Sequence, residues 1–503
     1  MARARAPVSA PVRAIARAFA AASCAIVLTA HVGSPDVFFT GTAGPYAIRV
    51  TIRPPDVVPG IARVTVYAPH SVQHVSIRPV FWRAGSRGAP SADDMQRTVA
   101  NGEARFDGSI WLMARGAYSV DVRVEGAAGS ALVSVPVASI ATGRLALSPA
   151  LAALLVALGI VLVAGLVNIV YKGAGESLVE PGGTMEASRI RRARRIAAVS
   201  VPILGVAVLG GARWWGAVDR DYERTVYRPS ALRLARTSDT LRVAASDTLW
   251  LPNRPARYVA DHGKLMHLFL IRQDGRAFAH LHPVVTDSAT IPAFLTLVPP
   301  LPAGSYRVFA DVVHENGFAR TLIGDLALSA PAHTGTATDP DDAWFVGDAP
   351  HDGNARLADG SLMHLDVSPG ARVQSGQEMS FRVTVSDPSG KPAQLEPYLG
   401  MAGHAVVERD DGSVYVHLHP MGTVSAAAQG VLLARDRGDT TADGGLRAVD
   451  AVAMSHVPSD VIAIPYAFPR GGSYRVFVQV KRNGRVLTGA FALVVADAPS
   501  AAR

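Results

Sequence analysis

Two stretches of the chain carry the same histidine spacing. MHLFLIRQDGRAFAHLHP (266–283) and GHAVVERDDGSVYVHLHP (403–420) align without a gap, so His267, His280 and His282 correspond to His404, His417 and His419 at a constant offset of 137 (404 − 267). Each stretch reads as a β-hairpin turning on an Asp-Gly pair, Asp274-Gly275 or Asp411-Gly412. With those pairs as the turn, His267 faces His282 and His404 faces His419. Side chains alternate along a strand, so His280 and His417 share the same face. Shifting the turn by one residue at each side pairs His404 with His417 instead and still leaves all three on one face. Opposed Cβ atoms lie roughly 4.5–5.5 Å apart, and metal–imidazole bonds are about 2 Å, so three such rings can converge on one ion.

Pro283 and Pro420 stop the second strand and place the histidines beside a loop that can supply a fourth ligand. In the second copy Met401, Met421, Met454 and His456 are available, and in the first Met266, His262 and His314. Imidazole with thioether favours copper over zinc, so a copper ion is the expected cofactor, with the second copy preferred because its methionines are closer. The competing expectation is that the histidines only fill half-buried strand positions. A duplication copies packing residues as faithfully as ligands, and the chain is then a non-catalytic structural or interaction protein of the cell envelope. His364, His70 and His74 read as structural or surface residues, and His31 becomes an N-terminal chelator only if cleavage follows Ala30.

The repeat extends beyond the hairpins. GSYRVF recurs at 304–309 and 472–477 with an offset of 168, so the second copy carries 31 extra residues (168 − 137). Around both blocks, and from about residue 44 to 136, short alternating runs such as YAIRVTI, ARVTVYA and YSVDVRVEG are separated by turn residues. The fold class is therefore mainly β, with three immunoglobulin-like sandwiches. The expected organisation is a signal peptide (1–30), a first extracytoplasmic sandwich (31–146), a transmembrane helix (147–171), a cytoplasmic basic loop (172–195), a second transmembrane helix (196–216), a sandwich holding the first repeat copy (217–329), a polar linker (330–343), and a sandwich holding the second copy with its insert (344–498).

Membrane placement rests on three features. Residues 1–30 contain four arginines, no acid and an apolar stretch around 18–30, the form of an export signal. Residues 151–171 are uncharged and long enough to span a bilayer. Residues 196–212 are also uncharged, and RIRRARR (189–195) directly precedes them, which by the positive-inside rule makes the intervening segment cytoplasmic. The expected location is the cytoplasmic membrane, multi-pass, with the large regions outside.

Of 503 residues, 49% are hydrophobic and 18% charged, which excludes a disordered chain. The net charge of +8 loses its nucleic-acid connotation once located: the signal contributes +4 and the 172–195 segment +3 (six basic, three acidic). The lone cysteine, Cys24, excludes an intramolecular disulfide and any multi-cysteine zinc site. Nucleophile-elbow, P-loop, dinucleotide and HExxH signatures are all missing, so the expectation is a binding protein and not an enzyme.

GPYAIRV and SIWLMARGAYSVDVRVEG in the first region, with YLGMAGH, YVHLHP and FPRGGSYRVFVQV in the last, resemble bacterial membrane proteins with YtkA-like or FixH-like domains and the immunoglobulin-like domains of copper-handling proteins. That resemblance implies copper binding or delivery, with His404, His417 and His419 as ligands and Met401 and Met421 as helpers. The implied partners are the lipid bilayer and other envelope or respiratory-assembly proteins, with no nucleic acid.

Overall fold

The structure is a computed structural model. It describes residues 31–32, 36–100, 102–145, 147–177, 179–180, 183–246, 257–286, 292–329, 337–367, 373–438 and 461–498. The export-signal reading, Cys24, Met454 and His456 lie outside these residues. The chain divides into two units, 1–139 with 229–503, and 140–228.

The larger unit is built from β-sandwiches, as the alternating runs predict. In the first, strands Val37–Ala43, Tyr46–Arg53, Gly60–Ala68, Glu103–Leu112 and Gln96–Ala100 form one sheet. Gly129–Ser139, Gly116–Gly126, Val72–Phe81 and Asp93–Asp94 form the other. The inward positions of Tyr46–Arg53 and Gly60–Ala68 alternate buried and exposed at the start of each strand, the period-2 signature of a half-buried sheet.

The two repeat copies share a core plan. In the first, Ala277–Leu281, His267–Arg272, Gly304–His314 and Ala319–Leu328 lie side by side. In the second, Val414–Leu418, His404–Arg409, Gly472–Arg482 and Arg485–Val495 do the same. Each such sheet backs onto a smaller four-stranded sheet to make a sandwich. An additional strand borders each hairpin. Ala343–Val346 adds antiparallel to Ala277–Leu281, and His31–Val32 adds parallel to Val414–Leu418. Residues 343–346, which the sequence places with the linker and second copy, thus belong to the first copy's sheet.

These hairpin strands are buried on both faces. Leu268, Leu270, Ala279 and Leu281 fill the first copy's sandwich core, and Ala405, Val407, Val416 and Leu418 fill the second's. The opposite faces form a separate buried cluster made of Phe269, Ile271, Phe278 and Phe309 with Val406, Tyr415, Phe477 and Ala490. The outer faces of the two copies therefore pack on each other. The contact is pseudo-two-fold: Phe278 stacks on Phe477 at 4.4 Å, and their repeat equivalents, Tyr415 and Phe309, stack at 4.0 Å. A self-complementary patch meeting its own duplicate is the geometry of an isologous dimer, here inside one chain.

The 31-residue insert contributes a helix that the strand-like reading did not foresee, Ala426–Arg437. Ser425 caps it by accepting from the Ala428 N–H, and Gly438 ends it in the left-handed region.

In the smaller unit, helices α1 (Pro149–Glu176) and α2 (Ala187–Glu223) are each long and apolar enough to cross a membrane, with mean hydropathies of 2.9 and 1.8. Ser148 caps α1, and Pro149 occupies its first turn, where a missing N–H costs nothing. The α1–α2 contact uses small residues, Gly175 against Ala193, which let the backbones approach. Helix α2 starts at Ala187, so RIRRARR is helical and not a loop: nothing in 187–195 breaks a helix, and arginine propagates one well.

Candidate metal centre

The hairpin registers match the sequence expectation. Phe269 pairs with His280 and Leu268 with Leu281 in the first copy. Val406 pairs with His417 and Ala405 with Leu418 in the second. This register puts His267, His280 and His282 on the outward face of one sheet and His404, His417 and His419 on the outward face of the other. In a lone sandwich that face meets solvent; the pairing of the copies buries it.

Within each triad one ligand atom per residue lies within 4.8 Å of the others. His267 Nδ1 is 3.1 Å from His280 Nε2, and the equivalent atoms His404 Nδ1 and His417 Nε2 are also 3.1 Å apart. Two nitrogens 3.1 Å apart on bonds of about 2.05 Å subtend about 98° at a common ion, between a square-planar and a tetrahedral angle. The third ring of each set sits against the second: His280–His282 and His417–His419 ring centroids are both 4.5 Å apart.

The triads also touch one another. His267 and His280 of the first copy lie 5.4 and 5.6 Å, centroid to centroid, from His417 of the second. His262 joins them from the first copy, 5.5 Å from His404 and 5.2 Å from His419. A further group of Asp261, His262 and His419, and another of His282, Asp339 and Asp342, also have ligand atoms within 4.8 Å.

The first triad has a complete outer layer. His267 Nε2 meets the Asp261 carbonyl at 3.1 Å, His280 Nδ1 meets Gln479 Oε1 at 2.8 Å, and His282 Nδ1 meets Asp342 Oδ1 at 3.1 Å. Each of these oxygens can accept the proton of one ring nitrogen and so aim the other into the triad, which is how metal-bound imidazoles are oriented. His282 Nε2 is buried without a partner. Asp261 does double service, because its carboxylate accepts the Ala427 N–H at the start of the insert helix.

The second triad is less supported. His417 Nδ1 faces Asp311 Oδ2 at 3.5 Å, and Asp311 is the repeat equivalent of Gln479. Each copy's central histidine is therefore braced by the other copy. His404 Nε2 is buried and unpartnered.

Burial sets the protonation of the cluster. It drives His267, His280, His404 and His417 well below the usual histidine range, with neighbouring imidazoles adding to the effect, and it brings His419 down to about 4. Neutral imidazole is the ligating form. Burial likewise pushes Asp311 and Glu408 up to about 7.

Met401 and Met421 pack in the apolar core of the first sandwich, in one cluster with Phe39, Tyr46 and Val424. Met266 lies in the first copy's core, and His314 packs at a tilt against Tyr258, 4.9 Å between ring centroids. Of the candidate fourth ligands among the described residues, His262 makes ring contacts with the histidine group, and it sits against the second copy, not only its own. The signal for it was the DHG turn: His262 has φ 55° and Gly263 φ 78°, left-handed backbone that among non-glycine residues Asn, Asp and His adopt most readily.

Comparison with known proteins adds little. The family described as Domain of unknown function (DUF8832) matches residues 237–323 and 356–497, which covers both repeat copies but less than half of the chain. No curated protein matches. Among solved structures, a copper-bound variant of FetP from uropathogenic Escherichia coli aligns over 23% of this chain and 98% of its own, at 11% identity and TM-score 0.17. A tandem-repeat fragment of a large adhesion protein covers 87% of this chain and 71% of its own, at 11% identity and TM-score 0.15. An I-band fragment of titin covers 88% and 93%, at 7% identity and TM-score 0.14. Scores this low carry no argument about function.

Proposed function

We infer that the protein is a membrane-anchored, extracytoplasmic metal-binding protein, with copper as its ion and the paired histidine triads as its ligands. One observation carries the reading: in both copies three imidazole nitrogens converge within 4.8 Å, and in the first copy the three outer nitrogens are all held by oxygen acceptors. Packing alone needs neither convergence nor a bare inner nitrogen such as His282 Nε2. An all-imidazole site of this kind binds divalent copper ahead of zinc by the general affinity order of first-row ions. Bound copper would supply a positive charge that a buried group of imidazoles can accommodate.

The anchor is the helix pair α1 and α2, with RIRRARR at the cytoplasmic side and the sandwiches outside. Binding or delivery is favoured over turnover, and the partners are the bilayer and other envelope or respiratory-assembly proteins. Nucleic acid is not among them.

Titration of the full chain in detergent with Cu(II), against zinc as a comparator, tests the reading. Stoichiometric binding whose tighter step is lost in a His280→Ala, His282→Ala variant supports it. Equal, weak uptake by the wild type and the variant leaves the structural role as the better account.

A further inference from the structure

We propose that the two triads hold two divalent copper ions as one coupled pair across the interface between the copies, with His262 of the first copy completing the ligand set on the second copy's ion. This rests on the reading of the triads as metal ligands.

The observations concern the boundary between the triads. His417 lies 5.4 Å from His267 and 5.6 Å from His280, and His404 lies 6.4 Å from His280, centroid to centroid. An ion on a 2.0–2.1 Å bond sits about 3.2 Å from the centroid of its ligand ring, so ions on His267 and on His417 are at most about 12 Å apart. Phe269 packs against a histidine of each triad, His280 at 4.2 Å and His417 at 4.9 Å. Each triad reaches across the boundary for its outer support, His280 to Gln479 and His417 to Asp311. Neither site is complete within its own copy.

His262 supplies the cross-copy ligand. It contacts three histidines, His267 in its own copy and His404 and His419 in the other, and Asp261, His262 and His419 bring their ligand atoms within 4.8 Å. Its Nε2 and His404 Nε2 are both buried without a hydrogen-bond partner. The residue also sits in left-handed backbone. It is the first central residue of a two-residue turn closed by reciprocal Asp261–Lys264 backbone bonds of 2.9 and 3.0 Å, with φ 55°. Asn or Gly takes that conformation with less strain. Histidine tolerates that conformation, and the turn carries the imidazole to the other copy's triad, where it meets His404 and His419 at 5.5 and 5.2 Å.

The arrangement has a mechanical corollary. Two ions ligated from both sides of the interface would fasten the copies together, so metal loading and pairing of the copies become one event.

Continuous-wave EPR of the full chain in detergent, during titration with Cu(II), tests the proposal. The expected result is two ions per chain, with the spectrum at full loading broadened by dipolar coupling relative to the spectrum at half an ion per chain. Two ions whose spectra add without broadening, or a single ion per chain, overturn the pair while leaving metal binding intact. Binding of no ion overturns both this and the proposed function. The variant His262→Asn keeps the turn, because asparagine tolerates positive φ, and removes only the imidazole. Weakening of the second ion by tenfold or more, with the first unchanged, is expected; an unchanged second ion overturns the role of His262.

Discussion

The two triads have the same parents and different surroundings. The inner contacts are duplicated to the tenth of an ångström, 3.1 Å between His267 and His280 and between His404 and His417. The outer contacts have diverged. The first copy meets its rings with a carbonyl, an amide and a carboxylate, whereas the second leaves His404 Nε2 bare and offers His417 only Asp311 at 3.5 Å. The difference teaches that the register of a hairpin fixes which nitrogens converge, while loops and neighbouring modules decide how firmly they are held. By that criterion the first copy is the tighter site, the reverse of what nearby methionines led the sequence to favour.

The comparison is broken most directly by removing ligands. His280→Ala with His282→Ala should abolish the tighter of two copper-binding steps, and His417→Ala with His419→Ala the weaker one, as read by isothermal titration calorimetry. Equal losses in the two variants would erase the distinction drawn between the copies.

Acid is the next largest effect, and it acts on both triads. Unfolded imidazoles protonate below about pH 6.5, while the folded forms of His267, His280, His404, His417 and His419 resist protonation. The unfolded state therefore binds more protons, and stability falls as pH drops from about 6.5 toward 4. Asp311 and Glu408 act oppositely: held at about 7 when folded, they stabilise at low pH and lose that contribution as pH rises through 7. Five imidazoles against two carboxyls leave a net of three protons, at most about 4 kcal/mol per pH unit. The melting temperature of the metal-free protein should fall steeply between pH 6.5 and 5 and recover in part when Cu(II) is added. A flat profile over that range would remove the neutral, buried cluster from the account.

Smaller and more selective, Asp342→Asn should weaken the first ion by about 10- to 100-fold and leave the second untouched, since Asp342 contacts His282 alone among the triad residues. At the small end, Tyr415→Phe makes the second copy like the first, where Phe278 already stands. It removes the 3.2 Å bond to Asp311 and should cost about 1 kcal/mol in urea unfolding.

Much of this was readable in the sequence because it depends on local periodicity. The gapless 137-residue offset and the Asp-Gly turns determine register, and register determines the shared face. The meeting of the two faces was not readable. Phe269, Ile271 and Phe278 alternate with Leu268, Leu270 and Ala279, and only the three-dimensional structure assigns one set to the sandwich core and the other to the interface. The packing of Met401 and Met421 was unreadable for a related reason. Sequence distance put them beside the histidines, but burial in the first sandwich was available to a thioether and is favourable. The insert helix escaped notice because it begins in AAA and ends at a glycine within a stretch otherwise read as strand and loop.

One contact at the far end of the interface has a consequence for how the two halves can change. Gly275, at the tip of the first hairpin, lies under the side chain of Arg475, and Gly412, at the tip of the second, lies under Arg307, the repeat equivalent of Arg475. A Cβ at Gly412 would come within 2.6 Å of Arg307 Cδ, and one at Gly275 within 2.8 Å of Arg475 Nε, in backbone of positive φ at both sites. Each copy's turn is thus shaped by a residue encoded some 100 to 200 positions away in the other. After duplication the halves lost the freedom to diverge separately there. Positive φ already disfavours any side chain at either tip, and the arginine of the other copy adds a second obstacle, so across related chains both tips should stay glycine even where the opposing arginine has changed.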